Sequence, residues 1–372
     1  MRVAFVLGTT SGGTGRHVLM LVEGLVRRGH QVLVAGPRSV EERFAFTGAG
    51  ARFVEVAVSD RPHPVNDLRA VLAVGRATRG ADVVHAHGLR AGALAALGAV
   101  ARARRAGGSG AYGRRLVVTL HNALTAGGFV GFVYGVLERI VARGADRVLV
   151  VSPDLGERMT RLGARDVRAA VVPAAPLPAA GRTPEEVRAD LGAGERAMLL
   201  TVARLAQQKG LETLLDVARG PWTAGREPLF VVAGDGPLRA ELEKRIAAEA
   251  LPVRLVGHRA DVPDLLRAAT AVLSVARWEG QPLSIREALM AGTPVIATAV
   301  GGVPEIVGDA GVLVPYGDVR RLREAVRRVV EQPGAAERLA EAAARRGREM
   351  PGEDDAVERV LEVYGHVGSR DD

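Results

Sequence analysis

"VVPAAPLPAAGRTPEE", residues 171–186, carries Pro173, Pro176, Pro178 and Pro184 within sixteen positions. Each proline fixes φ and removes a backbone donor, so the stretch suits neither a helix interior nor a central strand and reads as a semi-rigid linker. What lies on either side of it decides the fold. Upstream, "RVAFVLG" (2–8), a glycine-rich turn, an apolar-periodic helix from about Arg16 to Arg28, Gly29 as its stop and "QVLVAG" (31–36) form a βαβ unit. The alternation continues through "ADVVHAHG" (81–88), a helix from about Leu89, "RLVVTLHN" (115–122), a helix around Val133 to Ala142 and "DRVLVVS" (146–152). Downstream it restarts with "AMLLTVARL" (197–205) and "GLETLLDVAR" (210–219), then repeats strand and helix as far as "TPVIATAVGG" (293–302). Two doubly wound α/β domains follow, with ligand crevices expected at the carboxyl ends of their strands. The expected division is an amino-terminal domain over 1–173, a linker over 174–184 and a carboxyl-terminal domain over 185–354. A last helix at about 355–372 would pack back on the first domain.

Composition narrows the chemistry. A chain of 372 residues exceeds one ordinary core and suits two domains. Cysteine is absent, which excludes a thiol nucleophile or a disulfide framework and suits a reducing cytoplasm. The opening apolar run, Val3 to Leu7, is short for a signal-peptide core, so export is not expected. Leu116 to Leu137 lacks Asp, Glu, Lys and Arg over 22 positions, but His121, Asn122, Thr125 and Gly127-Gly128 read as strand, loop and helix rather than a membrane span.

Charge is divided unevenly. Met1 to Ala175 holds 24 Lys+Arg against 12 Asp+Glu, while the remainder holds 26 against 30. The basic half should face something anionic, unless its arginines are simply solvated. "ARARRAGGSGAYGRR" (101–115) reads as a basic surface loop, and "GGFVGFVYGVLERI" (127–140) as either an interfacial or a core helix. No nucleic-acid partner is expected.

The turn "GTTSGGTGRHV" offers Gly12, Gly13 and Gly15 for close approach of an anion to a helix amino terminus, or merely for helix packing. As a dinucleotide fingerprint it fails, because Val18 occupies the third glycine place. In the second half "ARLAQQKG" sets Arg204 and Lys209 beside one strand end, as a diphosphate would require. Lys209 is one of only two lysines against 48 arginines, which suggests that a slim ammonium is needed there. In "WEGQPLSIREA" (278–288), Ser284 to Glu287 has the form of a capping box, in which Glu287 would merely seal a helix. That box says nothing about Glu279. Two acceptor-only carboxylates flanking a helix amino terminus also suit a nucleotide sugar: one takes vicinal ribose hydroxyls, the other the sugar hydroxyls.

With these residues in place the chain resembles the retaining glycosyltransferases of family 4, which have the GT-B architecture. The resemblance rests on Gly12-Gly13, the strand-end histidine in "TLHN", "ARLAQQKG", "GDGP" and the E-x7-E of "EGQPLSIRE" followed by "EALMAGTPVIATAVGGVPE", in that order over nearly the whole chain. It implies two Rossmann-like domains facing a cleft and transfer of a hexose-type unit from a UDP-, GDP- or ADP-sugar to a hydroxyl. The acceptor would be a sugar or other small molecule, a polysaccharide or a lipid-linked group such as a glycolipid. By the same resemblance Arg204, Lys209, Gly13, Leu283 and Ser284 hold the donor diphosphate and Glu287 the ribose. Glu279 and His121 serve the transferred sugar, and His258 and Arg259 lie at the base. Gly12, His17 and His87 fall on the acceptor side.

Two departures stand out: Gln281-Pro282 replaces the family's common F-G, and Pro173-Ala174-Ala175 replaces P-N-G. No metal or other cofactor is expected, since there is no D-x-D and two cations stand at the phosphate position. His85 and His87 share a strand face but have no third ligand at metal spacing nearby, so they line or floor the acceptor side. Trp278 reads as packing. The alternatives are an epimerase of the same architecture and an inactive nucleotide-sugar-binding partner. The expected location is cytoplasmic, peripheral to the inner face of the cell membrane if the basic half meets anionic lipid.

Overall fold

The computed structural model describes residues 1–10, 12–58, 64–105, 115–122 and 128–365. The chain divides into two compact units, Met1–Pro173 with Pro351–Asp372, and Ala174–Met350. The first contains β1 (Arg2–Leu7), α1 (Gly13–Arg27), β2 (Gln31–Gly36), α2 (Arg38–Phe44), β3 (Arg52–Glu55), α3 (Pro64–Ala77) and β4 (Val83–His87). It continues with α4 (Leu89–Arg105), β5 (Arg115–Leu120), α5 (Gly128–Gly144), β6 (Arg147–Val150), α6 (Pro153–Arg161) and β7 (Val167–Ala169). The second holds α7 (Pro184–Asp190), β8 (Met198–Val202), a 3-10 turn (Gln207–Lys209), α8 (Leu211–Ala218), β9 (Leu229–Ala233), α9 (Arg239–Ala248) and β10 (Val253–Gly257). Then follow α10 (Val262–Ala268), β11 (Ala271–Ser274), α11 (Leu283–Met290), β12 (Val295–Thr298), α12 (Val303–Val307), β13 (Gly311–Val314), α13 (Val319–Glu331) and α14 (Ala335–Glu349). α15 (Glu353–Tyr364) belongs to the first unit.

Both sheets are parallel, in the order β3-β2-β1-β4-β5-β6-β7 and β10-β9-β8-β11-β12-β13. Strands covered on both faces must be apolar on both, and β1 and β9 are buried along almost their whole length. In the second unit Met198, Leu200, Ile285 and Leu289 pack on one side of the sheet, and Leu199, Leu214, Phe230 and Val326 on the other. Each such side chain contributes roughly 1.5–3 kcal/mol relative to exposure. The outer helices keep one apolar stripe: in α13 Leu322, Ala325, Val326 and Val329 are buried while arginines fill the other face. Strand order reverses between β1 and β4 and between β8 and β11, so each unit has a switch point where loops diverge and leave a crevice.

α15 docks through Ala356, Val357, Val360 and Val363, with Tyr364 fully buried. Arg147 and Arg115 donate to the carbonyls of Val363 and Tyr364 at its end. Arg115, expected in a basic loop, is thus the first residue of β5 and caps this helix. Of that loop Arg114 lies outside the described residues. Arg102, Arg104 and Arg105 belong to α4, their side chains undescribed. Residues 174–184 fall in the second unit, and the Gly181 amide donates to the buried carboxylate of Asp264 at 2.7 Å. No helix among the described residues is long and apolar enough to cross a membrane.

Candidate functional site

In the carboxyl unit, strand-end loops interlock around Glu279. Gln208 Nε2 donates to the Trp278 carbonyl at 3.0 Å, the Arg277 amide donates to Gln208 O at 2.8 Å, and the Gly302 amide donates to Glu279 O at 3.0 Å. Gly301 has φ +54°, and a Cβ there would lie 1.9 Å from Glu279 O, so only glycine lets the two loops approach this closely. Lys209, on the turn after β8, directs Nζ onto Glu279 Oε1. Glu279 is 8% exposed, and the pair sits at the switch point between β8 and β11. Arg204 is exposed at the end of the same β8 segment.

Four residues beyond Glu279, α11 begins. Pro282 occupies its cap position with φ −67° and no side-chain cap hydrogen bond. The Ser284 to Glu287 capping box is therefore not formed: the proline starts the helix ahead of Ser284, so Ser284 and Leu283 lie in the first turn and Glu287 in the second. The first turn carries no acidic residue. Its orphan amides make an anion-favouring end. After β10, His258 is exposed, whereas the Arg259 fork is taken by Asp261 at 2.7 and 2.5 Å. That pairing holds the Arg259 guanidinium above its ordinary pKa.

Sequence reasoning missed Arg286. It is 6% exposed, its Nη2 donates to Gln281 Oε1 at 2.9 Å, and its Nε has no hydrogen-bond partner. Burial and the charge of Arg346 lower its pKa to about 10. A neutral amide on the loop after Glu279 is thus held by a buried cation. An arginine one place before Glu287 was a visible signal for this.

In the amino unit the corresponding strand ends carry histidines instead. His85 is buried between Tyr364 Oη, 2.8 Å from Nδ1, and Thr119 Oγ1, 2.7 Å from Nε2. His87 Nδ1 lies 3.0 Å from His121 Nε2, with the two rings stacked at 5.3 Å. His17 packs 5.7 Å from His87 and 5.6 Å from His121. It occupies the second turn of α1 and is buried. Burial is the main cause that depresses every one of these rings: His85 falls to about 3, His121 to about 4, and His17 and His87 well below 6.5, with neighbouring histidines adding to the effect on all but His121. All four are neutral at pH 7. Among the described residues no group of three or more His, Asp or Glu is arranged to hold a metal ion.

The glycine turn divides its duties. A Cβ at Gly15 would lie 2.2 Å from the Phe44 ring, so that glycine serves packing, whereas at Gly12 a Cβ would meet nothing within 4 Å. Gly12 is the cap and Gly13 the first residue of α1. The two units therefore gather the expected residues separately: Arg204, Lys209, Glu279, Leu283, Ser284 and Glu287 at the strand ends of one, Gly12, Gly13, His17, His87 and His121 at those of the other.

Two family models match the chain, one described as glycosyl transferases group 1 over residues 184–346 and one as glycosyl transferase 4-like domain over 12–175. Glycogen synthase of Mycobacterium tuberculosis is 30% identical over an alignment of 380 positions, covering 90% of this chain and 86% of that protein. Alpha-D-kanosaminyltransferase of Streptomyces kanamyceticus is 33% identical over 165 residues, which is 43% of each chain. Among solved structures, Anabaena Alr3699/HepE in complex with UDP superposes with a TM-score of 0.78 at 19% identity, covering 98% of this chain and 99% of that one.

Proposed function

The chain belongs to the family 4 glycosyltransferases, with the two parallel-sheet units of the GT-B fold, and from this premise we infer that it moves a hexose-type unit from a nucleotide diphosphate sugar to an acceptor hydroxyl, with retention and without a metal. The observation that carries the reading is the Lys209–Glu279 pair, held at the β8/β11 switch point four residues ahead of the α11 amino end. Lys209 uses one of its three donors on Glu279 and retains others for a phosphate oxygen. With Arg204 and the α11 amides it balances charge as the diphosphate departs, the part a metal plays in other sites. The bond from the anomeric carbon to the diphosphate oxygen breaks, and a bond to the acceptor oxygen forms on the same face. The acceptor proton goes to the departing diphosphate. Glu279, paired with Lys209, faces the positive charge that develops on the sugar ring, and Glu287 takes the ribose hydroxyls.

A thermal-shift series with UDP, GDP, ADP and their sugars identifies the donor, because a ligand that binds only the folded state raises its melting point by mass action. Turnover is then followed in excess chelator. Unchanged rate and an axial-to-axial product support the reading, whereas a rate restored only by magnesium or manganese removes its metal-free part. Release of free nucleotide diphosphate only when acceptor is present separates transfer from epimerisation.

An anionic membrane surface is part of the same proposal. α5 exposes Phe132 at 69% and Val130 at 51%, so it is not a core helix throughout, and the amino half is basic. Phe129, expected to join them, has no described side chain. Sedimentation with anionic but not neutral vesicles, lost at high salt, is the expected result, and no sedimentation at low salt rejects the membrane.

A further inference from the structure

The cations of the transfer site, Arg204 and Lys209, belong to the carboxyl unit, whereas it is Met1 to Ala175 that holds 24 Lys+Arg against 12 Asp+Glu. Part of that excess gathers at the edge of the amino sheet. A cavity of about 450 Å³ lies between α3 and the outer strands β2 and β3, with Arg52, Arg76 and Arg79 in its lining. Leu33 of β2 pairs in register with Arg52 of β3, so both share one face of the sheet, and the pleat adds Val54 to it. α3 meets that face with Ala73 and Ala77, one turn apart and too small to fill the space. The floor is therefore apolar and only half-buried. The rim is cationic. Arg52 begins β3, Arg76 stands in the last turn of α3 and Arg79 just beyond it, and all three are exposed. Because α3 runs back against the direction of the parallel strands, its end lies beside the start of β3, at the opposite end of the sheet from the histidine crevice.

Exposed arginines elsewhere in the chain find carboxylates: Arg38 meets Glu42 at 3.1 Å, Arg219 meets Glu249 at 2.6 Å and Arg320 meets Glu324 at 2.8 Å. Among the described residues none of Arg52, Arg76 and Arg79 has an ion-pair partner, and Arg76 uses only Nε, on the Leu72 carbonyl at 3.3 Å. Glu55, the acidic residue of the lining, stands an odd number of places from Arg52, so the pleat turns its side chain to the other face. The end of α3 opposes an anion with roughly half a charge, which three guanidiniums outweigh. A carboxylate brings one charge and answers one fork, and an inorganic anion leaves the apolar floor uncovered. A phosphate monoester brings about 1.5 to 2 charges and three acceptor oxygens, and an apolar body on its ester oxygen covers the floor. Val130 and Phe132 lie at the amino end of α5, towards the crevice, so a membrane resting on them is not placed over these arginines.

We propose that this cavity is a further ligand site, apart from both sets of strand-end residues, for a soluble phosphate monoester with a compact apolar body: the phosphate takes the arginine forks and the body lies on Leu33, Val54, Ala73 and Ala77. Phenyl phosphate is the probe, titrated calorimetrically into the full chain at pH 7.5, with inorganic phosphate and benzyl alcohol as its two halves. It should bind at least about ten-fold more tightly than either half, since only the whole ligand answers both rim and floor. Arg52→Gln and Arg79→Gln should each weaken it about ten-fold, the scale of one charge-assisted hydrogen bond, without lowering the melting temperature, because both positions are exposed. Lys209→Met should leave this affinity unchanged, which separates the site from the diphosphate position and frees the test from the transfer reading. Absence of binding, equal binding of either half, or indifference to both arginine changes overturns the proposal. So does binding that Lys209→Met abolishes, which would place the ligand at the donor position. Sedimentation with phosphatidic acid vesicles that needs Arg52 and Arg79, in a chain that does not bind phenyl phosphate, would assign the arginines to a lipid surface and likewise overturn it.

Discussion

At the switch points of the two sheets, one unit gathers four neutral histidines, with His17, His85 and His87 buried and His121 half-buried, and the other sets Lys209 against Glu279 with Arg204 exposed beside them. The backbone device is shared and the electrostatics are opposite. Burial without an opposite charge removes protons from the histidines and leaves hydrogen-bonding rings suited to hydroxyls. Pairing at a partly exposed loop keeps charges where a diphosphate can use them. The difference teaches that the fold supplies only a crevice, and that the residues at its lip choose the chemistry.

The strongest way to separate the two units is pH. His17, His85, His87 and His121 have folded pKa values depressed below 6.5, two of them to about 3 and about 4. As pH falls below about 6.5 the unfolded chain takes up protons that the folded chain does not. Their stabilising effect is therefore full above that value and lost progressively towards pH 3 to 4. Between pH 6.5 and 5 the loss should be on the order of 1 kcal/mol per histidine, falling on the amino unit. Both tryptophans, Trp222 and Trp278, lie in the carboxyl unit, so their fluorescence follows that unit while amide exchange follows the other. Equal loss in both, or none above pH 5, would break the comparison.

Lys209→Met tests the charged side. Turnover should fall about 100- to 1000-fold, the scale of losing one transition-state donor, with weaker binding of the donor nucleotide. Glu287→Gln should act more narrowly, weakening the nucleotide by roughly 1–3 kcal/mol with melting little changed. A Glu287 variant that melts lower but binds nucleotide normally would make this glutamate structural. The smallest expected effect is on stability in Arg286→Met. Replacing a buried cation that has no carboxylate partner with an apolar chain should leave ΔG within about 1 kcal/mol, while freeing Gln281 and altering discrimination among donor sugars. A loss of several kcal/mol would show the cation to be essential to the core.

Much of this was legible because parallel strands announce themselves as short apolar runs. β1, β2, β4, β5 and β8 all coincide with runs visible in the sequence. β3, α2 and α3 were not read, and the reason is physical: β3 is a four-residue edge strand with a charged residue at each end, so its pattern carries no buried face. Two S/T-x-x-E stretches show the limit for caps. Thr183 to Glu186 forms a true capping box with Pro184 inside the helix, whereas at Ser284 to Glu287 a proline two places earlier has already begun the turn. The ion pair of Lys209 and Glu279, seventy residues apart, depends on two loops converging. So does the cluster that joins His17, His87 and His121. Neither spacing is written along the chain.

The docking of α15 bears on the order in which the protein is assembled. Residues 174–350 are contiguous and can collapse once they have been translated, but the first 173 lack Tyr364 against His85 and the carbonyls that Arg115 and Arg147 hold. Nascent domains generally fold as they emerge, the amino-terminal one first. Here the unit synthesised first is the one completed last. During translation its unfilled α1 surface, into which Val357 packs beside Gly24, is left waiting for a segment that the ribosome has not yet released.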